Sequence, residues 1–218
     1  MKFRNRSLQI SCDGGAATGK STGGKMIAKK YKLKFLSSGL LYRYASYLVL
    51  KYKPRDKFNF IKKKFKKLDY KKLKKLNLHS PKISKYSAVL AKIKKIRIIL
   101  KRFQIDFSRR YRNCCIEGRD ISSNILPKSD LKFFFKCNIN IAAKRRFKEL
   151  KKKNRKIKLI AVKKALRIRN KSDIKRKNSP LLRHRDSIEI DTGRLDKLAM
   201  LKIMSLHIEK VLKEKNGN

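Results

Sequence analysis

Leu8-Gln9-Ile10-Ser11-Cys12-Asp13-Gly14-Gly15-Ala16-Ala17-Thr18-Gly19-Lys20-Ser21-Thr22 decides the fold. Its second half, Gly14 to Ser21, fits the phosphate-binding loop pattern G-x-x-x-x-G-K-[ST] at every fixed position. Leu8–Cys12 reads as a short strand, and the residues from Lys20 to about Tyr31 read as a helix. Strand, glycine-rich turn and helix N-terminus are the context this pattern needs. The glycines let successive backbone N–H groups turn into one concavity, an anion nest. The helix adds its unpaired first-turn amides and the positive end of its dipole. Gly14, Gly15, Ala16, Ala17, Thr18, Gly19, Lys20, Ser21 and Thr22 are therefore the candidate triphosphate cradle. Within it Lys20 would reach the β- and γ-phosphates of ATP, and the Ser21 hydroxyl would sit on Mg²⁺.

Composition bounds the rest. The 218 residues suit one large domain or a core with small inserts. A chain of that size buries about 70% of its unfolded surface and needs no disulfide or metal staple. Lys and Arg number 64 against 15 Asp and Glu, a formal charge of +49. Such a charge repels itself and attracts anions of every kind. The lysines are spread over nearly every segment, so drift toward lysine explains them better than one nucleic-acid arm does. No specific nucleic-acid partner is expected, only weak nonspecific RNA binding. Cys12, Cys114, Cys115 and Cys137 form no C-x-x-C pair and read as small buried hydrophobes of a reducing compartment. His79, His184 and His207 match no zinc pattern. No apolar run approaches the ~18–20 residues of a membrane span, and Met1-Lys2-Phe3-Arg4 lacks a secretory apolar segment. The expectation is a cytoplasmic, monomeric enzyme without membrane attachment.

Strands alternate with helices, which implies an α/β protein with a parallel sheet covered on both faces. Strands are expected at Leu8–Cys12, Leu33–Leu36, Asn113–Glu117, Leu131–Cys137 and Ser187–Asp191. Leu131-Lys132-Phe133-Phe134-Phe135 is nearly all apolar, as a doubly covered strand should be. Helices are expected at Lys20–Tyr31, Gly39–Lys51, Ile83–Asp106, Ile141–Lys152, Ile157–Lys171 and Lys197–Lys213. Gly23 and Gly24 lie inside the first helix at a cost of about 1 kcal/mol each against alanine. Close packing is the one reason the sequence offers for them. Ile61–Leu76 spaces Ile61, Phe65, Leu68, Leu73 and Leu76 as an amphipathic helix among lysines. Packing on the domain with snorkelling lysine stems explains it better than a membrane or RNA surface does.

Five further motifs narrow the function, and together they resemble the cytidylate kinase family. Ser37-Ser38-Gly39-Leu40-Leu41-Tyr42-Arg43 is close to that family's D-S-G-x-x-Y-R. Glu117-Gly118-Arg119-Asp120 is close to its D-G-R-D, and Lys144-Arg145-Arg146-Phe147 lies near its R-R pair. Arg169, Asp173 and Arg176 before Ser179-Pro180-Leu181 keep the spacing of its R-x-x-x-D-x-x-R before A-P-L. Asp186-Ser187-Ile188-Glu189-Ile190-Asp191-Thr192 resembles its D-A-x-x-I-D-T. The resemblance runs in order over about residues 7–205.

It implies a three-layer α/β/α P-loop kinase fold: a five-stranded parallel sheet with a nucleoside-monophosphate-binding insert and a lid. The expected core is 1–50, 107–145 and 180–218, with the insert at 51–106 and the lid at 146–179. The implied reaction is Mg²⁺-dependent transfer of the ATP γ-phosphoryl group to CMP or dCMP. Arg43, Arg119 and Arg176 would hold the acceptor phosphate, which guanidinium forks match bidentately. Ser38 and Tyr42 belong to the same acceptor motif. Arg97 and Asp120 would read the cytosine edge. Asp173, helped by Arg169, would bind the ribose hydroxyls. Arg145 and Arg146 would act on the transferring group from the lid. On residue type alone, Arg97, Arg145 and Arg146 also suit solvated basic positions, and Asp120 and Asp173 also suit local salt bridges.

Departures from the pattern bear on the base. Ser37 stands in place of an aspartate, Ala88 aligns with a base-contacting serine beside Ser87, His79 falls in place of I-R-T, and Ala142 replaces an arginine. An adenylate, UMP or shikimate type of P-loop kinase is the alternative enzyme, though adenylate kinases carry D-G-F-P-R where this chain has Glu117-Gly118-Arg119-Asp120. A non-enzymatic RNA-binding protein explains the charge but none of the ordered motifs.

Overall fold

The computed structural model describes residues 7–152 and 155–217, with main chain alone at 74 and 216. The expectation about a leader at Met1–Arg4 lies outside the described residues, as do Lys153 and Asn154. In chain order the elements are β1 (Gln9–Gly14), α1 (Lys20–Lys30), β2 (Lys34–Ser37), α2 (Ser38–Tyr52), α3 (Lys57–Lys66), a 3₁₀ turn (Tyr70–Lys75), α4 (Pro81–Leu90) and α5 (Lys94–Arg110). They continue with β3 (Cys114–Gly118), a π turn (Ile121–Ile125), β4 (Leu131–Lys136), α6 (Ile139–Lys151), α7 (Leu159–Lys175), β5 (Ile188–Asp191) and α8 (Lys197–Asn216).

The chain divides into two units, one running up to Leu36 and again from Tyr111 onward, the other covering Ser37–Arg110. The first holds the five-stranded sheet, ordered β2-β3-β1-β4-β5. The β1–β3, β1–β4 and β4–β5 pairs are parallel, with Ile10 opposite both Cys115 and Leu131. Side chains alternate along β1. Ile10 and Cys12 enter an apolar layer with Phe133 and Phe135 of β4, Ile27 of α1, and Met200, Met204 and Ile208 of α8. Ser11 and Asp13 occupy the alternate positions, where Ser129 Oγ donates to Ser11 Oγ at 3.0 Å. Gly23 and Gly24 find their reason here. A Cβ on Gly23 would lie 2.9 Å from the Phe135 ring, and one on Gly24 would lie 2.9 Å from Phe35 Cε2. Cys12, Cys114 and Cys115 are buried in the sheet, while Cys137 is half-buried just beyond β4.

The second unit is helical. α2 packs on α4 and α3 on α5. Ile61 and Phe65 of α3 are buried, and the Phe65 ring meets Tyr44 and Phe103 at centroid distances of 5.8 Å. Two expected helices are divided. The 83–106 span is α4 and α5, because the chain tightens between them: Lys92 N bonds to Val89 O and Ile93 N to Leu90 O, both at 3.1 Å. Such three-residue bonds close a helix end. The 61–76 span stops at Lys66, and Asp69 then accepts from Lys71 N at 2.9 Å. A short acid that bonds its neighbouring backbone in this way competes with helix continuation.

Candidate active site

β1 ends on Gly14, whose φ of +150° and close approach to the Phe135 carbonyl leave no room for a Cβ. Gly19 caps α1 at φ +84°, with Thr192 Cγ2 3.3 Å from where a Cβ would stand. Ala17 is left-handed too, at φ +60°, a strain that loops at ligand sites commonly carry. Gly19 caps the helix without a side-chain bond, and its carbonyl takes the amides of Thr22 and Gly23 at 2.9 Å. The amides before Thr22 are thus first-turn donors with no acceptor one turn back. Thr18 Oγ1 and Lys20 Nζ both donate to Gly15 O at 3.0 Å, which braces the loop across itself. Ser21 is half-buried and Thr22 exposed at the helix start.

Lys20 is buried, and burial pulls its pKa from 10.5 down to about 7, with the Arg119 charge adding to the effect. The Glu117 carboxylate at 3.9 Å opposes that shift in part.

Beside the loop, α7 and the end of β3 build a compact cluster of charge. Arg119 Nη1 donates to Gly14 O and its Nε to Asp173 Oδ2, each at 2.8 Å. Arg176 lies at the C-terminal end of α7, its Nη1 3.5 Å from Asp173 Oδ1 and its Nη2 3.3 Å from Asp120 Oδ1, while its Nε donates to Ser179 O at 2.6 Å. Arg169 Nε stands 4.0 Å from Asp173 Oδ2. Burial pushes the Asp173 carboxyl upward. The Arg119 charge and hydrogen bond, with Arg169 and Arg176, outweigh it and hold the group below its ordinary value. α7 can deliver Arg169 and Asp173 together because they sit one helical turn apart.

Arg145 of α6 is tied to the same loop through Thr192. Its Nη2 donates to Thr192 O at 2.7 Å, and Thr192 Oγ1 donates to Thr18 O at 2.8 Å. Arg146, the next residue, pairs with Glu149 at 2.8 Å.

The remaining candidates belong to the second unit. Ser38 opens α2 and is buried, and Ser37 Oγ caps that helix by accepting from Leu40 N at 3.3 Å. Arg43 Nη1 donates to Ser84 Oγ at 2.5 Å and to Leu78 O at 3.3 Å. Arg97 is buried, lies 5.8 Å from the Tyr42 ring centre and donates to Ala91 O at 3.2 Å. It thereby closes the C-terminal end of α4, a structural duty that its surrounding lysines hid. Ser87 is buried one position from Ala88 and donates to Ser84 O at 2.8 Å.

Two participants escaped the sequence reading. Asp13 is buried beneath the loop and accepts from Ile121 N, Ser122 N and Ser122 Oγ at 2.8, 2.7 and 2.6 Å. Its place just before the loop was the available signal, since acids are scarce here. Asn170 Oδ1 accepts from Ala16 N at 2.9 Å, a contact between positions 154 apart that no local pattern announces.

The sequence model of a family described as cytidylate kinase matches residues 10–211. The cytidylate kinase of Bartonella quintana (strain Toulouse) is 34% identical over 206 residues, covering 94% of this chain and 95% of that one. The cytidylate kinase of Rickettsia canadensis (strain McKiel) is 32% identical over 209 residues, covering 94% of each. Among solved structures, an uncharacterized protein from Eubacterium ventriosum aligns with TM-score 0.57 at 14% identity, covering 93% of this chain and 98% of that one. Shikimate kinase from Acinetobacter baumannii aligns with TM-score 0.50 at 15% identity, covering 98% and 97%. At these identities the structures speak for the fold, a parallel sheet clad by helices behind a phosphate loop.

Proposed function

The chain belongs to the cytidylate kinase family, and we propose on that premise that it transfers the γ-phosphoryl group of ATP to the phosphate of CMP or dCMP, giving CDP or dCDP. It is a nucleoside monophosphate kinase. The observation that carries the reading is Arg119, which touches the phosphate loop at Gly14 O and the acidic residue of the R-x-x-x-D-x-x-R motif, Asp173, with one guanidinium.

The chemistry asks for no general base. The attacking phosphate oxygen is already ionised near neutrality, because the second pKa of a phosphate ester is about 6. Catalysis then rests on in-line positioning and neutralisation of charge. Lys20 and the amides of the Gly14–Thr22 loop other than those of Ala16 and Thr22, which Asn170 and Gly19 already hold, would take the ATP tail. Mg²⁺ would arrive with ATP, and Ser21 offers it a hard oxygen donor at the start of α1, the ligand type it prefers. Arg119, Arg176 and Arg43 would take the acceptor phosphate, Arg97 and Asp120 the cytosine edge, and Asp173 with Arg169 the ribose. Arg145 and Arg146 would neutralise the transferring group and help keep water from it, since a hydrolysed phosphoryl group is lost. We expect the enzyme to work as a monomer in the cytoplasm.

The deciding assay offers purified protein MgATP with CMP, dCMP, UMP, AMP or shikimate. Turnover highest with CMP or dCMP is expected. Turnover confined to AMP or shikimate overturns the assignment, as does none with any acceptor.

A further inference from the structure

We propose that Asn170 is a positioning residue for the donor nucleotide: it clamps α7 to the phosphate loop by holding the Ala16 amide. Asn170 Oδ1 accepts from Ala16 N at 2.9 Å. The same side chain is packed against Gly15, where an added Cβ would meet Nδ2 at 3.2 Å and Oδ1 at 3.3 Å. The loop has two left-handed residues downstream of this point, Ala17 and Gly19, so its path depends on what fixes the segment before them. Ala17 in particular is strained, and strain persists only where surrounding contacts over-determine the conformation. Thr18 and Lys20 both brace on Gly15 O, the carbonyl that directly precedes the Ala16 amide. Asn170 therefore anchors the opposite end of the peptide unit on which Lys20 rests.

The clamp is one of two. Three residues further along α7, Asp173 holds Arg119, and Arg119 holds Gly14 O. α7 thus grips the loop at two points, through Gly14 and through Ala16, on either side of Gly15. The two grips differ in kind. The first passes through a charged pair that the acceptor nucleotide is proposed to use. The second is a single neutral hydrogen bond outside that cluster, so it can be removed without touching any residue assigned to CMP. Loss of one such bond, with the amide left to find water, is a change of about fivefold in an equilibrium constant.

The inference rests on the kinase reading for the identity of its ligand. Binding of the non-hydrolysable β,γ-imido analogue of ATP with Mg²⁺, and separately of CMP, would be measured by calorimetry in Asn170→Ala and Asn170→Asp. Asn170→Ala is expected to weaken the ATP analogue about fivefold with CMP affinity within twofold of the parent. Asn170→Asp keeps an oxygen at the same place but adds a charge beside the triphosphate, so it is expected to recover the loss only in part. Unchanged affinity for the analogue in Asn170→Ala overturns the clamp. So does an equal loss of both nucleotides that Asp does not recover, because mere helix docking would act on both. Parent protein that binds the analogue but turns over no pyrimidine monophosphate would count against the kinase reading and leave the clamp standing.

Discussion

Lys20 Nζ lies 3.9 Å from the Glu117 carboxylate, and both side chains are almost wholly buried. The attraction is not enough to keep the ammonium at its ordinary strength, and burial with the nearby Arg119 leaves its pKa at about 7. A triphosphate placed against Lys20 raises that value again, so binding takes up a proton when the free site has lost one. Affinity for MgATP should therefore be greatest below pH 7 and fall by up to ~10-fold per unit above it, as one proton per site is taken up. Calorimetry at pH 7.5 and 9 would show the fall in the parent and not in Lys20→Ala. Between pH 7 and 10.5 the unfolded chain binds the Lys20 proton more readily than the folded one, so the stability of the nucleotide-free parent should rise relative to Lys20→Ala across that window. A flat affinity profile in the parent would remove Lys20 from the triphosphate site.

Turnover depends on the same amine. Lys20→Ala should lower kcat by roughly 10²–10³, the scale for losing one preorganised donor in a site of this kind. Circular dichroism should show the fold intact. Wild-type turnover in this variant would take the loop out of the mechanism.

Arg176 spans two acids that sequence reading assigned to different parts of the acceptor: Asp120 at 3.3 Å and Asp173 at 3.5 Å. A lysine keeps the charge but cannot fork between them. Arg176→Lys should cut kcat/KM for CMP about 100-fold, near the upper end of a lost charged hydrogen bond. The KM for ATP should stay within threefold. Asp173→Ala should likewise raise the KM for CMP more than that for ATP. Equal losses for both nucleotides would argue against an acceptor role for the cluster.

The loop and the positions of the strands along the chain were legible because both are local. Gly14 to Ser21 carries its own spacing, and the five expected strands fall within two residues of the observed ones at either end. What stayed hidden was non-local or set by a single competing bond. The break between α4 and α5 depends on carbonyls that Ile93 and Arg97 satisfy, and apolar periodicity runs through it unaltered. The Asp69 turn that halts the 61–76 helix is one acid among lysines. Asn170 and Asp13 act on residues more than a hundred positions away, where only the folded sheet brings the partners together. The charge of +49 gave no guide to the site, since lysines crowd every element.

Gly23 sets helix propensity against packing. Propensity alone says that Gly23→Ala stabilises α1 by about 1 kcal/mol. The new Cβ would stand 2.9 Å from Phe135 Cε1 and Cζ and 3.2 Å from Met204 Sδ. Overpacking of a filled core costs about 1–3 kcal/mol, so the packing effect should win. Urea unfolding should show Gly23→Ala destabilised by up to ~2 kcal/mol, net of the propensity gain. A more stable variant would mean that Phe135 and Met204 yield without cost.

Asp13 is the support beneath Arg119 and Asp120. Its two carboxylate oxygens hold the amides of Ile121 and Ser122 and the Ser122 hydroxyl, and so fix the chain directly after the two candidate acceptor contacts. Burial pushes its pKa up, and those hydrogen bonds pull it only part of the way back. Asp13→Ala leaves two buried amides without an acceptor, at about 1–3 kcal/mol each, against which relief of a buried charge is a partial offset. A net loss of ~3 kcal/mol is expected, which lowers the melting temperature of a chain this size by about 6–12 °C. Asp13→Asn keeps one acceptor oxygen and turns an NH₂ toward the other amide, so it should recover less than half of the loss. In both variants the KM for CMP should rise before that for ATP, because the released segment carries Arg119 and Asp120 while Lys20 keeps its brace on Gly15 O. Melting at the parent temperature in Asp13→Ala, with CMP kinetics unaltered, would show that the turn after β3 holds its shape without the carboxylate.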